Sequence, residues 1–257
     1  MSEVREILGY PILAATMDEV VRLCGDAIDQ RQPVQIGVLN AAKVVNAARD
    51  AGLHDAMLSC DVILADGQSV VWASRMLRQP LPERVAGIDL FVQLLELADA
   101  QHLSVYLLGA TPEVVEQVAA VMGTRFPGAR LAGYRDGYFD DPDAVAQEIA
   151  ASRPDMLFLG MTSPKKEKFL EKYQPVMNVP VTHGVGGSFD ILAGVTKRAP
   201  ERWQRMGMEW AYRLVQEPGR MWKRYLRTNV LFSVMIAREL VSQRLTSVNA
   251  MPTSEVA

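Results

Sequence analysis

Two cysteines and three histidines are all that this chain of 257 residues offers to a disulfide framework or a metal cluster. Cys24 and Cys60 sit in separate apolar-periodic segments, so each reads as a buried thiol, which suits a reducing compartment. His54, His102 and His183 are scattered, and none forms a pair at helical spacing, so no metal is expected. Long hydrophobic runs are missing too. The apolar stretch near the C-terminus, Val230 to Ala237, falls far short of the ~20 residues that cross a bilayer. Met1-Ser-Glu-Val-Arg-Glu6 has neither the basic start nor the apolar core of a secretory signal. A net charge of −3 gives no nucleic-acid footprint, and no nucleic-acid partner is expected. No Gly-x-Gly-x-x-Gly run opens a first strand–helix turn, which argues against a nicotinamide enzyme.

What is present is an ordinary globular balance, 49% hydrophobic and 22% charged. Short β-favouring runs alternate with helical ones. Strands are expected at 34–39, 61–65, 103–108, 129–134, 155–160 and 179–183. Helices are expected at 41–50, 69–77, 90–100, from Pro112, up to 151, and at 164–173. Asp89, Thr111 and Asp143 read as caps, and Pro112 as a first helical residue. The pattern predicts an α/β fold: a Rossmann-like, mostly parallel sheet with helices on both faces, plus a basic helical C-terminal appendage. The expected divisions are a catalytic domain at 1–198, an appendage at 199–246 and a disordered tail at 247–257.

Ligand sites in such sheets lie beyond the carboxyl ends of the strands. That edge collects Asn40, Asp66-Gly67, Gly109-Ala-Thr111, Gly160 to Ser163 and Gly184 to Ser188. Glycines between a strand and a helix offer bare N–H groups, here at Gly186, Gly187 and Ser188, to an anion. With Lys197 and Arg198 close behind, that is a way to hold a diphosphate without a metal. A tight turn with no ligand is the other reading. Asp66 can be a general base, a metal ligand or a helix cap. Arg84 can clamp a phosphate, or pair with Glu83 or Asp89. Lys165 and Lys166 open a helix, where the dipole disfavours cations, and a bound anion would relieve that conflict. Asp141-Pro-Asp143 has Asp-x-Asp spacing but follows a turn, so metal binding is not expected there. Tyr138 can stack on a base or a sugar, or simply end a turn.

An acidic body carries a basic tail. Lys197, Arg198, Arg202, Arg205, Arg213, Arg220, Lys223, Arg224, Arg227, Arg238 and Arg244 crowd the last quarter. Two helices are expected there, 207–216 and 220–241, broken at Glu217-Pro-Gly219. On the second, Arg220, Lys223, Arg224 and Arg227 fall within an arc of about 100°. Trp222, Tyr225, Leu226, Phe232 and Ile236 fall opposite. A cationic amphipathic helix of this kind suits an anionic membrane surface; a helix packed on the sheet with a solvated basic face is the alternative.

Several segments, in register, resemble the WecG/TagA/CpsF glycosyltransferase family (glycosyltransferase family 26). They are Leu39-Asn-Ala-Ala-Lys-Val-Val45, Ala65-Asp-Gly-Gln-Ser-Val-Val71, Pro82-Glu-Arg-Val-Ala-Gly-Ile-Asp-Leu90 and Tyr106-Leu-Leu-Gly-Ala110. Asp136-Gly-Tyr-Phe139, Ser163-Pro-Lys-Lys-Glu167, Val185-Gly-Gly-Ser-Phe-Asp190, Lys197-Arg-Ala-Pro200 and Gly207-Met-Glu-Trp-Ala-Tyr-Arg-Leu214 follow. The resemblance implies an inverting enzyme that needs no metal or cofactor, peripheral at the cytoplasmic face of a bacterial inner membrane. It would move a hexose or N-acetylhexosamine from a UDP-sugar to a polyprenyl-diphosphate-linked saccharide. Asp66 maps to the family's base. Asn40, Arg84, Gly109, Lys166, Gly186, Gly187 and Ser188 would hold the donor and its diphosphate. Lys197, Arg198, Arg213, Arg220, Arg224 and Arg227 would meet the acceptor and the anionic membrane surface. Assembly into a homo-oligomer is left open.

Two positions depart from the commoner family pattern. Val38 stands where a Thr is usual, and Lys166 where a Gln is usual. They point towards an exopolysaccharide branch, similar to the β-1,4-glucosyltransferase of xanthan assembly, and so to glucose from UDP-glucose. N-acetylmannosamine or its uronic acid, passed to lipid-linked N-acetylglucosamine, is the alternative. A non-catalytic nucleotide-sugar-binding protein of the same fold is a third reading.

Overall fold

In the computed structural model the described backbone covers residues 3–216 and 218–249. The side chains at 205, 213, 216, 218, 220, 221, 223–225 and 244–249 are outside that description. The strands are β1 (Glu3–Ile7), β2 (Tyr10–Ala14), β3 (Val34–Leu39), β4 (Val62–Ala65), β5 (Ser104–Gly109), β6 (Arg130–Arg135), β7 (Met156–Gly160) and β8 (Val181–His183). The first helices are α1 (Met17–Asp29), α2 (Ala41–Ala47), α3 (Ala51–Leu58), α4 (Gln68–Met76), α5 (Gly87–Gln101) and α6 (Pro112–Arg125). Then come α7 (Pro142–Ser152), α8 (Lys165–Met177), α9 (Ser188–Leu192), α10 (Glu201–Arg205), α11 (Glu209–Gln216) and α12 (Pro218–Asn249).

The strands form one sheet in the order β1-β2-β4-β3-β8-β7-β5-β6, parallel except for the β1–β2 hairpin. That hairpin turns at Leu8 (φ 52) and Gly9 (φ 80), and a two-residue turn with both φ positive matches the twist of the strands it joins. The central strands are apolar on both sides because helices cover both faces. Ile36, Val38, Leu64, Leu107 and Phe158 face one core with α1, α5 and α6. Leu39, Ile63 and Ala65 face α2, α3 and α4, while Tyr106, Leu108 and Leu159 face α7 and α8. The expected α/β sheet with two helical layers is therefore present.

Several local expectations need correction. β1, β2 and α1 precede the first expected element; Thr16-Met-Asp-Glu19 is the capping box that starts α1 and was the readable signal for it. One helix was expected over 41–50, but α2 stops at Ala47 and Asp50 caps α3 by accepting from Leu53 N–H at 3.0 Å. Asp89 is no cap: α5 begins earlier, at Gly87. Asp141, not Asp143, caps α7, accepting from Ala144 N–H at 3.0 Å. The tail expected from Ser247 begins inside α12, and 250–257 lie outside the described residues.

α12 does not separate from the body. Phe232 and Ile236, both buried, join the core beneath α2. Trp222, Leu226, Val230 and Val234 form a second stripe at four-residue spacing that is exposed. The expectation that Trp222, Leu226, Phe232 and Ile236 share one apolar side is thus split: one stripe anchors the helix and the other is about half exposed. Phe232→Ala removes an anchor and is expected to cost about 3 kcal/mol in urea unfolding. Phe232→Ala combined with Ile236→Ala is expected to open tryptic sites beyond residue 218 before global unfolding; a digestion pattern matching the wild type would contradict this docking.

Candidate active site

The strand order reverses between β3 and β8, and a crevice opens there beyond their carboxyl ends. Asn40 follows β3, Asp66 follows β4 and Gly184 follows β8, so three loops converge by topology alone. Arg84, from the loop before α5, and Glu209, Thr228 and Asn229, from α11 and α12, complete the walls. The cleft encloses about 540 Å³, a volume suited to a small-molecule ligand. Asp66, Arg84 and the Gly184–Ser188 turn share it, as the sequence expectation requires.

The Asp66 carboxylate is held on both oxygens. Oδ1 accepts from Gly87 N–H at 2.9 Å, and Oδ2 accepts from Asn40 Nδ2 at 3.2 Å. Asn40 caps α2, its Oδ1 accepting from Lys43 N–H at 3.1 Å, and this orients its amide towards Asp66. Asp66 does serve a helix start, that of α5 rather than the α4 that follows it in sequence. Each oxygen keeps a lone pair, so the carboxylate remains able to take a proton from a ligand hydroxyl. His183 is fully buried and its Nε2 donates to Gly87 O at 3.0 Å, so this single glycine is gripped through both its N–H and its carbonyl. The expectation that His183 is structural agrees with this.

Two buried lysines and a glutamate lie beside Asp66. Lys43 Nζ donates to Val38 O at 2.6 Å and pairs with Glu167 Oε1 at 2.9 Å. Lys166 Nζ lies 3.7 Å from the same oxygen. Burial pushes Lys166 down to about 8, Lys43 adds to this, and Glu167 and Asp66 oppose it. Burial works to raise Glu167, but Lys43 and Lys166 prevail and leave it below the usual carboxylate range. Lys43 and Lys166 stand against the carboxylates of Glu167 and Asp66, so this dry wall holds its charges in balance, and each acts strongly on a ligand there. Lys165 takes no part: it donates to Gly137 O at 2.6 Å and covers the Phe139 ring.

The glycine turn works differently from its sequence reading. Gly186 N–H donates to Leu159 O at 3.0 Å, and Ser188 N–H and Oγ both donate to Val185 O. Of the three amides expected to hold an anion, only that of Gly187 is uncommitted among the described hydrogen bonds. The glycines instead make room. A Cβ on Gly184 would stand 2.9 Å from Lys166 Cδ, and one on Gly186 (φ +55) 3.2 Å from Lys166 Nζ. The turn thus admits a lysine where it was expected to present backbone.

Gly109, Lys197, Arg198 and Arg227 do not line the cleft. Gly109 (φ +127), at the end of β5, packs on Gly160 of the adjacent β7, two strands from β8. Lys197 is exposed, and Arg198 is committed to Asp89 and Glu209. Arg84 pairs with Glu209 at 2.9 Å, not with Glu83 or Asp89. Arg227 is exposed, and the side chains of Arg213, Arg220 and Arg224 lie outside the described residues. Lys43, Glu167 and Glu209 were not anticipated; a lysine inside Ala41-Ala-Lys-Val-Val45 was the one available hint. Among the described residues no three His, Cys, Asp or Glu side chains are grouped to hold a metal ion.

The model of the family described as "Glycosyl transferase WecG/TagA/CpsF family" matches residues 5–246. The chain is 38% identical over 199 residues, 77% of either chain, to a Bacillus subtilis protein named N-acetylglucosaminyldiphosphoundecaprenol N-acetyl-beta-D-mannosaminyltransferase. Proteins of the same name are similar in Bacillus spizizenii (37% over 217 residues, 84% of either chain) and in Staphylococcus aureus MW2. The latter match is 38% over 241 residues, 91% of this chain and 92% of that one.

The grip on Gly87 carries a pH signature. Burial pushes the His183 imidazole down to about 4 from an ordinary 6.5. An unfolded chain takes up a proton near pH 6.5 and the folded one only near pH 4, so stability is lost as pH falls through that window, by about 3 kcal/mol at most. His183→Gln is expected to flatten this part of the urea-unfolding profile between pH 7 and pH 4. An acid slope identical to that of the wild type would mean that His183 is not buried neutral.

Proposed function

Because the chain belongs to the WecG/TagA/CpsF glycosyltransferase family, we propose that it passes N-acetylmannosamine from UDP to N-acetylglucosamine on a polyprenyl diphosphate. The transferred sugar and the acceptor follow the names of relatives that share at least 37% identity over three quarters or more of the chain, and UDP as the carrier is what the family resemblance implies. The expectation of glucose yields to them. Val38 and Lys166 both line the cleft, so a changed donor sugar, glucose included, stays as the second reading.

The observation that carries the mechanism is Asp66, held on both oxygens, in one cleft with Arg84 and Lys166. The acceptor hydroxyl attacks the anomeric carbon and its proton passes to Asp66. The bond from that carbon to the diphosphate oxygen breaks, and its electron pair leaves with UDP. A single displacement inverts the centre and needs one base. Arg84 and Lys166 meet the charge that grows on the leaving diphosphate, which is where fixed cations accelerate such a step and a metal is dispensable. Met161 joins the Gly186 turn to Gly137: its carbonyl oxygen lies 3.7 Å, and its Cγ 3.4 Å, from where their Cβ atoms would be.

The cleft opens beside α12, whose outer stripe, with Trp222 and Leu226 about half exposed, suits the membrane in which a polyprenyl acceptor is anchored. No helix among the described residues is long and apolar enough to cross a membrane. Contact on this reading is peripheral, at the cytoplasmic face, where UDP-sugars are available. Lys197 and Arg227 are exposed and add positive surface charge.

Asp66→Asn is expected to lower kcat by about 10²–10⁴ with UDP affinity retained, in assays with EDTA throughout. An unchanged kcat removes Asp66 as the base and leaves the nucleotide-sugar-binding reading in its place. A panel of UDP-sugars against a synthetic lipid-diphosphate N-acetylglucosamine decides between N-acetylmannosamine and glucose. Changing Trp222 and Leu226 to Glu together is expected to abolish sedimentation with anionic vesicles; undiminished sedimentation excludes this stripe as the membrane contact.

A further inference from the structure

We propose that Glu209 is a positioning residue of the donor site: its carboxylate aims the Arg84 guanidinium into the cleft, and Arg198, clamped on Asp89, holds that carboxylate in place. The inference rests on the reading of Arg84 as a cation for the diphosphate, and adds α11 of the appendage to the donor site.

Arg84 projects from an irregular loop and is largely buried, so its long side chain needs a partner to keep one direction. Glu209 Oε2 accepts from its Nη1 at 2.9 Å. The other oxygen of Glu209, Oε1, accepts from Arg198 Nε at 3.1 Å. Arg198 then grips both oxygens of Asp89, with Nη1 at 2.6 Å and Nη2 at 2.9 Å. Such fork-to-fork pairing fixes orientation as well as distance. Asp89 stands in the first turn of α5, whose first N–H is bonded to Asp66. The chain of contacts therefore starts beside the base and ends on the cation facing it across one cleft. Glu209 engages one N–H of Arg84, and the rest of that guanidinium is free to meet an anion.

The test is UDP titration by calorimetry, with donor and acceptor kinetics, on the full chain at fixed ionic strength. Glu209→Gln is expected to weaken UDP and raise donor KM about tenfold, with acceptor KM unchanged. Asp89→Asn, which touches neither Arg84 nor the cleft, is expected to act in the same direction. Glu209→Gln added to Arg84→Ala is expected to do nothing further. UDP binding that is unchanged or tighter in Glu209→Gln overturns the proposal, a tighter value marking Glu209 as a competitor for Arg84. Additive losses in the double variant also overturn it. If Arg84→Ala itself leaves UDP binding intact, the reading of Arg84 fails; if Arg84→Ala weakens UDP and Glu209→Gln does not, only the positioning role fails. Should Glu209→Gln lose its cooperative melting transition, Asp89→Asn decides by the same criteria.

Discussion

Gly87 is the joint on which the site is built. Its N–H reaches Asp66 at the end of β4, and its carbonyl accepts a hydrogen bond from His183 at the end of β8. Two strands that flank β3 are thus tied to the first residue of one helix. The carboxylate gains an oriented donor, and a buried imidazole that would otherwise cost several kcal/mol if left unpaired finds an acceptor. Both bonds run through backbone or short side chains, so neither has much freedom to drift. The same helix start carries Asp89 two residues later, and through Arg198 and Glu209 it reaches the guanidinium on the opposite wall.

Charge in and around the cleft is arranged as pairs rather than as a free basic patch. Lys43 and Lys166 share Glu167, and Arg84 and Arg198 share Glu209. A lone buried lysine would shed its proton, and the glutamate between the two lysines lessens that tendency. Such a wall costs less to keep dry than unpaired cations would. The glycines after β8 belong to the same arrangement, because their missing side chains leave the space that Lys166 fills. The appendage, too, is part of the enzyme body: α12 buries Phe232 and Ile236 beneath α2 and lends Thr228 and Asn229 to the cleft.

The alternation of short apolar strands with capped helices was sufficient, from residue 34 onward, to determine a parallel sheet with helices on both faces and the edge on which ligands bind. Asp66 and Arg84 were legible because an acid and a base stand next to glycine and proline at that edge, and local chemistry limits what such residues can do. Local pattern could not tell which neighbour each charged group would choose. Asp66 caps a helix that begins twenty-one residues later, Arg84 meets Glu209 across 125 residues, and amides in a glycine turn are spent on nearby carbonyls. Those partnerships depend on distances set by sheet order and helix packing, which no stretch of sequence contains. The sequence by itself therefore determined the layers and the sheet edge on which the cleft opens; the tertiary structure alone decided which cations line it, because electrostatic and hydrogen-bond energies fall off over a few ångströms and only packing brings distant residues within that range.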